Sequence, residues 1–354
     1  MRGKKITWDF IGQFFRTMLL SENFILYLSI LYFIVLIPFV PKIASQTNLE
    51  NLFSNIWPLF AVAIGQTFVL IIAGIDLSQG AIISFTSVVG AMFIAEKVDP
   101  AVFSKAPIWG SLLFENGALF SHIPAGIPLA ILAMLICGIL IGLLNGLVIA
   151  YFKIPAFMVT LVTQMLFGAG AIYLVKSENI INLPAAFVEI GTSGYGLISY
   201  SLLVTIVLAI FAQFLLSRTI FGHWLYAIGT NIRASIVSGI PTQRVIVLAY
   251  AFSGFCASIA SVIYSSRVMM GRPTLGSSFL LDIIGAAVIG GSSLSGGKGK
   301  VIWTLFGVIF LQLLGNSLRL LNVSFFTTEI VKGSVILLAA LLDVTRTRLL
   351  AKNV

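Results

Sequence analysis

Charge is what this sequence most lacks. Only 9% of its 354 residues are Asp, Glu, Lys or Arg, where soluble domains carry about 25%. A chain of this length with so little charge cannot cover a water-facing surface, so a soluble enzyme and a disordered chain are both excluded. Thiols and imidazoles are scarce as well, with two Cys and two His. Cys137 and Cys256 each sit inside apolar stretches, and His122 and His223 lie far apart. A secreted disulfide scaffold is excluded, and no metal site is expected. The net charge of +9 is thinly spread, with no basic run longer than Lys4-Lys5. Nucleic acid is therefore not expected as a partner.

What the sequence has is apolar length: 59% hydrophobic residues and a mean hydropathy of +1.08. This composition implies an all-α integral membrane protein. A span needs about 20 mostly apolar residues. Ten segments qualify: 24–41, 52–74, 80–95, 125–151, 154–175, 197–217, 243–265, 279–291, 301–318 and 325–343. The segments 80–95 and 279–291 are short; they are tilted, broken or extended by polar neighbours, or one of them is re-entrant. With the N-terminus inside, Lys153, Arg218, Arg233, Arg244, Lys298 and Lys300 fall in inner loops, and basic residues also crowd both termini. They outnumber Lys42, Lys97, Lys105, Lys176, Arg267, Arg272 and Arg319 on the other side. The bias places both termini in the cytoplasm.

The whole chain, 1–354, reads as one transmembrane domain. Residues 1–20 carry Trp8, Ile11, Phe14, Phe15 and Met18 at helical spacing, which suits either a helix lying on the inner membrane surface or a frayed cytosolic start. A cleaved signal peptide is disfavoured, because the apolar run begins only near residue 24 and nine more follow. The stretch 218–242 is the longest inner loop, and 345–354 reads as a cytoplasmic tail.

The segment from Ile72 to Gly80 echoes that from Ile289 to Gly297, sharing Ile, Gly, Leu, Ser and Gly in register. A duplicated half explains this, as does chance in a glycine-rich membrane sequence. The threading puts both copies on the inner side, which would make the repeat parallel.

Ionised groups are costly within a bilayer. Asp76 and Asp282 each sit at a span end, where capping the following helix is the leading reading. Glu329 and Lys332 are three apart on one helix face and can pair. Gln66, Asn145, Thr160, Thr163, Gln164 and Asn316 fall within spans. They could line a path for a neutral polyhydroxylated solute, or equally join helices to one another. Gly138, Gly142 and Gly146 form a stripe suited to close helix contact. The nearest approach to a phosphate loop is Gly296-Gly297-Lys298-Gly299. It lacks the leading glycine, which is Ser292, and the trailing Ser or Thr, which is Gly299.

Four blocks, in order over about residues 50–345, resemble the permease subunits of bacterial ABC importers for ribose, galactosides, xylose and autoinducer-2. They are Gly74-Ile75-Asp76-Leu77-Ser78; Pro155-Ala156-Phe157 through Thr160-Leu161-Val162-Thr163; Phe221-Gly222 through Gly229-Thr230-Asn231 to Gly239-Ile240; and Leu281-Asp282 through Gly290-Gly291, with Ser295-Gly296-Gly297. Ala73, Leu280 and Arg319 depart from the pattern. The resemblance implies a permease that translocates a monosaccharide or similar small polar solute delivered to the outer face by a soluble binding protein. It implies two permease copies, identical or paired paralogues, and separate ATPase subunits that use ATP and Mg. A short helix around Asn231–Gly239 would pass ATPase motion to the spans, with Gly229, Asn231, Arg233, Ala234, Ser235 and Gly239 at the contact. Gly74, Asp76, Ser78, Asp282, Gly290, Gly291, Ser295 and Gly297 would form the structural signature. Arg267 and Arg272 would meet the binding protein, or are simply solvated. The bacterial inner membrane is the expected location, with lipid around the spans and no cofactor held by this chain.

Two other classes compete. A stand-alone secondary transporter or channel would favour a coupling acid at mid-depth, and none is clearly placed there. A membrane-embedded enzyme would favour a clustered acid–base or nucleophile set, and none stands out.

Overall fold

The computed structural model describes residues 23–195 and 198–352. The amphipathic stretch expected over 1–20 lies outside the described residues. The helices are α1 Phe24–Leu36, α2 Gln46–Ile71, α3 Gln79–Ile94, α4 Gly126–Phe152, α5 Ala156–Val175, α6 Ala185–Thr192, α7 Tyr200–Arg218, α8 Ile220–Thr230, α9 Ile232–Val237, α10 Thr242–Val268, α11 Leu280–Gly290, α12 Val301–Leu320 and α13 Phe325–Lys352. Each of the ten apolar segments is thus helical. Among the described residues, strand is confined to two small antiparallel hairpins in loops, β1 Leu113–Phe114 with β2 Gly117–Ala118, and β3 Gly194–Tyr195 with β4 Ile198–Ser199.

Span length is where expectation and structure part. Among the described residues, six helices are long and apolar enough to cross a membrane: α2, α4, α5, α7, α10 and α12. The apolar helices α1, α3 and α11 are shorter, at 13, 16 and 11 residues. The segment 24–41 is helical only to Leu36, because Pro38 and Pro41 follow, and Pro41 opens a 3-10 turn instead. The segment 52–74 begins six residues early, at Gln46, because its polar first turns escape a search for apolar runs. The segment expected to end in a cytoplasmic tail stays helical through α13 to Lys352.

Helix α2 is the hub. In its apolar window 89% of residues are buried, against 28% in each of α4, α5 and α7. A helix apolar all round and enclosed by protein is a core element, whereas α4, α5 and α7 keep a wide apolar face outward, as lipid-facing helices do. The glycine stripe of α4 is what lets α10 approach. A Cβ at Gly146 would stand 2.6 Å from Val247 Cα, and one at Gly138 would stand 2.7 Å from Ser258 Cβ. Hydroxyls of α10 knit it to α3: Ser261 donates to the Ile83 carbonyl at 2.8 Å and Ser265 to Ser87 Oγ at 2.7 Å.

The connections gather at two ends. At one, the loops after α3, α5 and α10 interlock, with Glu96 N donating to Asn182 O and Ile180 bridging Gly271. At the other lie residues 72–78, 153–155, 218–241 and 291–300. Both echo segments are at this second end, as a parallel arrangement requires. Their backbones nevertheless differ. Positive φ falls at Ala73 in the first and one place further along, at Gly291, in the second; Gly80 is helical where Gly297 has φ +72°. The nine-residue echo is not repeated as a backbone motif.

Candidate functional site

The loop joining α2 to α3 carries a buried polar network. Asp76 is fully buried. Its Oδ1 accepts from Ser78 N at 3.0 Å and from Ser78 Oγ at 2.6 Å, and its Oδ2 accepts from Ser253 Oγ at 2.6 Å. Ser78 Oγ accepts in turn from Asn145 Nδ2 at 2.8 Å, and Asn145 Oδ1 accepts from Thr163 Oγ1 at 2.6 Å. Thr160 Oγ1 donates to Ala156 O at 2.9 Å and to Ile75 O at 3.3 Å. Gln79 Nε2 donates to Ser253 Oγ at 2.8 Å. The loop is thereby tied to α3, α4, α5 and α10 at one point. A buried carboxylate accepting several hydrogen bonds is far less costly than a bare one. Asp76 does not cap α3, as expected from its position; Ser78 is the N-cap residue, and Asp76 holds Ser78.

The six span residues singled out for a solute path are not brought together. Asn145, Thr160 and Thr163 join this network, where they bind helices to one another. Gln66 is fully buried in α2 with both amide atoms unpartnered, and Gln164 Oε1 on α5 is likewise unpartnered. Asn316 is at the opposite end, exchanging amide hydrogen bonds with Asn48 at 2.9 and 3.1 Å.

The stretch 218–242 folds into α8 and α9. Thr219 caps α8 by accepting from Gly222 N at 3.2 Å, and Asn231 caps α9 by accepting from Ala234 N at 3.0 Å. Ser235 is the buried residue of α9, donating to Asn231 O at 2.9 Å, while Arg233 and Ala234 are exposed. Ile236 and Val237 are 57% and 89% exposed, an apolar face at the molecule's end. Gly239 turns the chain at φ +78°, a conformation glycine adopts without strain. A cavity of about 1000 Å³ opens between α9 and residues 72–74, with Lys153 and Arg244 on its wall.

Gly229 is the joint. A Cβ there would run into the Ile71 carbonyl and stand 2.5 Å from Gly297 N. Gly297 N itself donates to Ile71 O at 2.8 Å. Tyr226 donates to Gly299 O at 2.7 Å; burial raises its pKa, so the hydroxyl keeps its proton. The end of α8 is thus wedged between the C-terminus of α2 and the loop 291–300. In that loop Gly290 abuts the Trp303 backbone, Gly291 ends α11 at φ +112°, and Ser295 N donates to Ser293 Oγ at 3.2 Å. Gly74 leaves no room for a side chain beside Tyr250 Oη, at 2.6 Å.

At the far end, Asp282 lies in the first turn of α11, but the N-cap residue is Phe279 and makes no side-chain cap bond. Asp282 Oδ2 instead accepts from Lys332 Nζ on α13 at 2.9 Å, correcting the capping expectation. Lys332 also meets Glu329 at 3.3 Å, the pair its spacing foretold. Arg267 is half-buried at the end of α10. Arg272 is exposed, donating from Nε to Thr274 Oγ1 at 3.2 Å.

Ser253, Gln79 and Tyr226 were missed by sequence reasoning. Ser253 belongs to a run of α10 hydroxyls that was legible as composition; nothing local marked Tyr226 or Gln79.

Residues 48–340 match the family described as branched-chain amino acid transport system, permease component. The chain belongs to this permease family. Among its relatives is the ribose import permease protein of Bacillus subtilis, 35% identical over 305 residues, covering 86% of each chain. The ribose import permease protein of Haemophilus influenzae is 33% identical over 309 residues, covering 86% of this chain and 87% of its own. The L-arabinose ABC transporter permease protein of Azospirillum brasilense is 26% identical over 325 residues, covering 92% of this chain and 88% of its own. No solved structure matches the chain significantly. In this chain the Gly229 joint is where α8 meets the body of the fold, and the Asp76 network ties the neighbouring loop to α3, α4, α5 and α10.

Proposed function

We propose that this chain is the permease subunit of an ATP-driven importer for a monosaccharide or similar small polar solute. The family membership, with sugar import permeases among the relatives at up to 35% identity, carries the reading. A soluble binding protein delivers the solute to the outer face and meets Arg267 and Arg272 there. Two permease copies sit in the inner membrane with both termini cytoplasmic, and ATPase subunits holding ATP and Mg dock beneath them. The short helices α1, α3 and α11 complete a ten-helix crossing with the longer ones.

The mechanism follows from the joint at Gly229. An ATPase bound to the exposed face of α9 displaces α8. Because Gly229 is jammed between Ile71 and Gly297, that displacement moves the ends of α2 and α11 together. Tyr226 to Gly299 keeps α8 fastened to the second loop. The Asp76 network fastens the α2–α3 loop to α4, α5 and α10, so the whole body responds.

The decisive experiment co-expresses the chain with its ATPase and binding protein and measures uptake in proteoliposomes. Uptake is expected only with ATP, and tagged permease is expected to bring down the ATPase. Solute flux through the lone chain without ATP would end this reading.

A further inference from the structure

A second cavity, of about 630 Å³, opens at the end of the molecule opposite the Gly229 joint. Its volume lies within the range of small-molecule sites, about 300–1,000 Å³. Asn51 and Asn55 of α2 and Gln312 and Asn316 of α12 supply amides to its wall. Asp282, Glu329, Arg319 and Lys332 also line it, two acids against two bases, so the site has no net charge. Tyr264 and Phe279 add a stacked aromatic wall, their ring centroids 4.5 Å apart.

One atom in this wall is unaccounted for. Asp282 is only 7% exposed, and while its Oδ2 is held by Lys332, its buried Oδ1 has no hydrogen-bond partner. A buried, unpartnered carboxylate oxygen costs free energy unless a donor reaches it. That oxygen has no surface on the cavity, so the amides of Asn51, Asn55 and Gln312 carry the open hydrogen-bonding capacity of its wall. Amides offering both donors and acceptors, an aromatic wall for C–H faces and zero net charge together fit a neutral polyol. A free cation would meet Lys332 and Arg319, and a free anion Asp282 and Glu329.

We propose that this cavity is an outer solute subsite for a neutral sugar, in which the amides of Asn51 and Gln312 hold the sugar hydroxyls and orient the ring. The assignment rests on the import reading above. The solute waits here, handed over from the binding protein, until the helices around α2 separate.

The test uses the complete importer in proteoliposomes with its binding protein, and D-ribose, L-arabinose and D-galactose as labelled probes. Gln312→Leu and Asn51→Leu each remove a polar group that makes no ion pair. Each is expected to lower uptake of the transported sugar about tenfold, the equivalent of one hydrogen bond to a well-organised site, with the yield of assembled complex unchanged. In a separate arm, a charged thiol reagent applied from outside modifies the Gln312→Cys variant, read against the unaltered chain with its half-buried Cys137 and buried Cys256. Saturating sugar is expected to slow that modification. Full uptake by both leucine variants, or modification indifferent to a sugar that the importer still transports, overturns the subsite and leaves the import reading standing. Failure of the unaltered assembly to take up any of the three probes with ATP overturns both.

Discussion

At the residue scale, Asp76 shows how this chain tolerates a carboxylate in a buried position. Its two oxygens accept from Ser78 and Ser253, and both hydroxyls are themselves held by amides, Asn145 and Gln79. Ser253→Ala would strip Asp76 Oδ2 of its donor and Gln79 Nε2 of its nearer acceptor at once, leaving the amide only the Val62 carbonyl at 3.3 Å. Loss of about 1–3 kcal/mol is expected, read as a lower unfolding temperature of the purified permease in detergent. Ser258→Ala, whose hydroxyl bonds only within its own helix, is expected to change it much less. The roles of these residues divide by legibility. Asp76 and Ser78 stood out as polar interruptions in an apolar chain. Ser253 did not, because a serine in a membrane helix ordinarily satisfies itself on its own backbone, and only the fold brings α10 beside the loop.

At the element scale, the α4–α10 contact is a matter of missing side chains. Gly142 sits where a Cβ would stand 3.0 Å from Ala251 Cα. Gly142→Val is expected to push the helices apart, at a cost of about 1–3 kcal/mol or more, and to reduce the amount of folded permease. Leu140→Val, at a position 57% exposed on the outward face, is expected to leave the yield intact. The contrast, measured by fluorescence-detected gel filtration, separates packing from any solute contact. Helix α9 makes the opposite case, since Val237 is 89% exposed and Ile236, 57% exposed, stands at the mouth of the inner cavity. Ile236→Asp is expected to weaken binding of the ATPase subunit at least about tenfold, by loss of buried apolar area, without changing membrane insertion; pull-down against the unaltered chain reads it. Apolar length was enough to place α4 and α10, and the family resemblance placed α9. Their lengths were less readable, because the polar first turns of α2 look like loop, and because α3 and α11 are too short to be recognised as spans or dismissed as such.

At the scale of the whole molecule, two cavities lie at opposite ends of α2, and the buried run of that helix separates them. One end is joined through Gly229 to α8 and α9, the helices proposed above to meet the ATPase; the other is lined by amides and a balanced set of charges. The import reading therefore predicts one orientation for the chain. Ser238→Cys, exposed beyond α9, is expected to be modified by a membrane-impermeant thiol reagent only from the cytoplasmic side of inverted vesicles. Modification from the outside of intact cells would reverse the assignment of both ends.

Composition alone settled that this is a membrane-embedded helical protein, since so little charge cannot clothe a soluble surface. The four ordered sequence blocks pointed to its family, because glycines, caps and prolines are demanded locally by backbone geometry. What only the tertiary structure decided is which polar groups meet. Asp282 finds Lys332 fifty residues away, and Asn316 finds Asn48 across 268 positions. A buried polar group must be satisfied by whatever packs against it, and that neighbour is chosen by helix packing rather than by spacing along the chain.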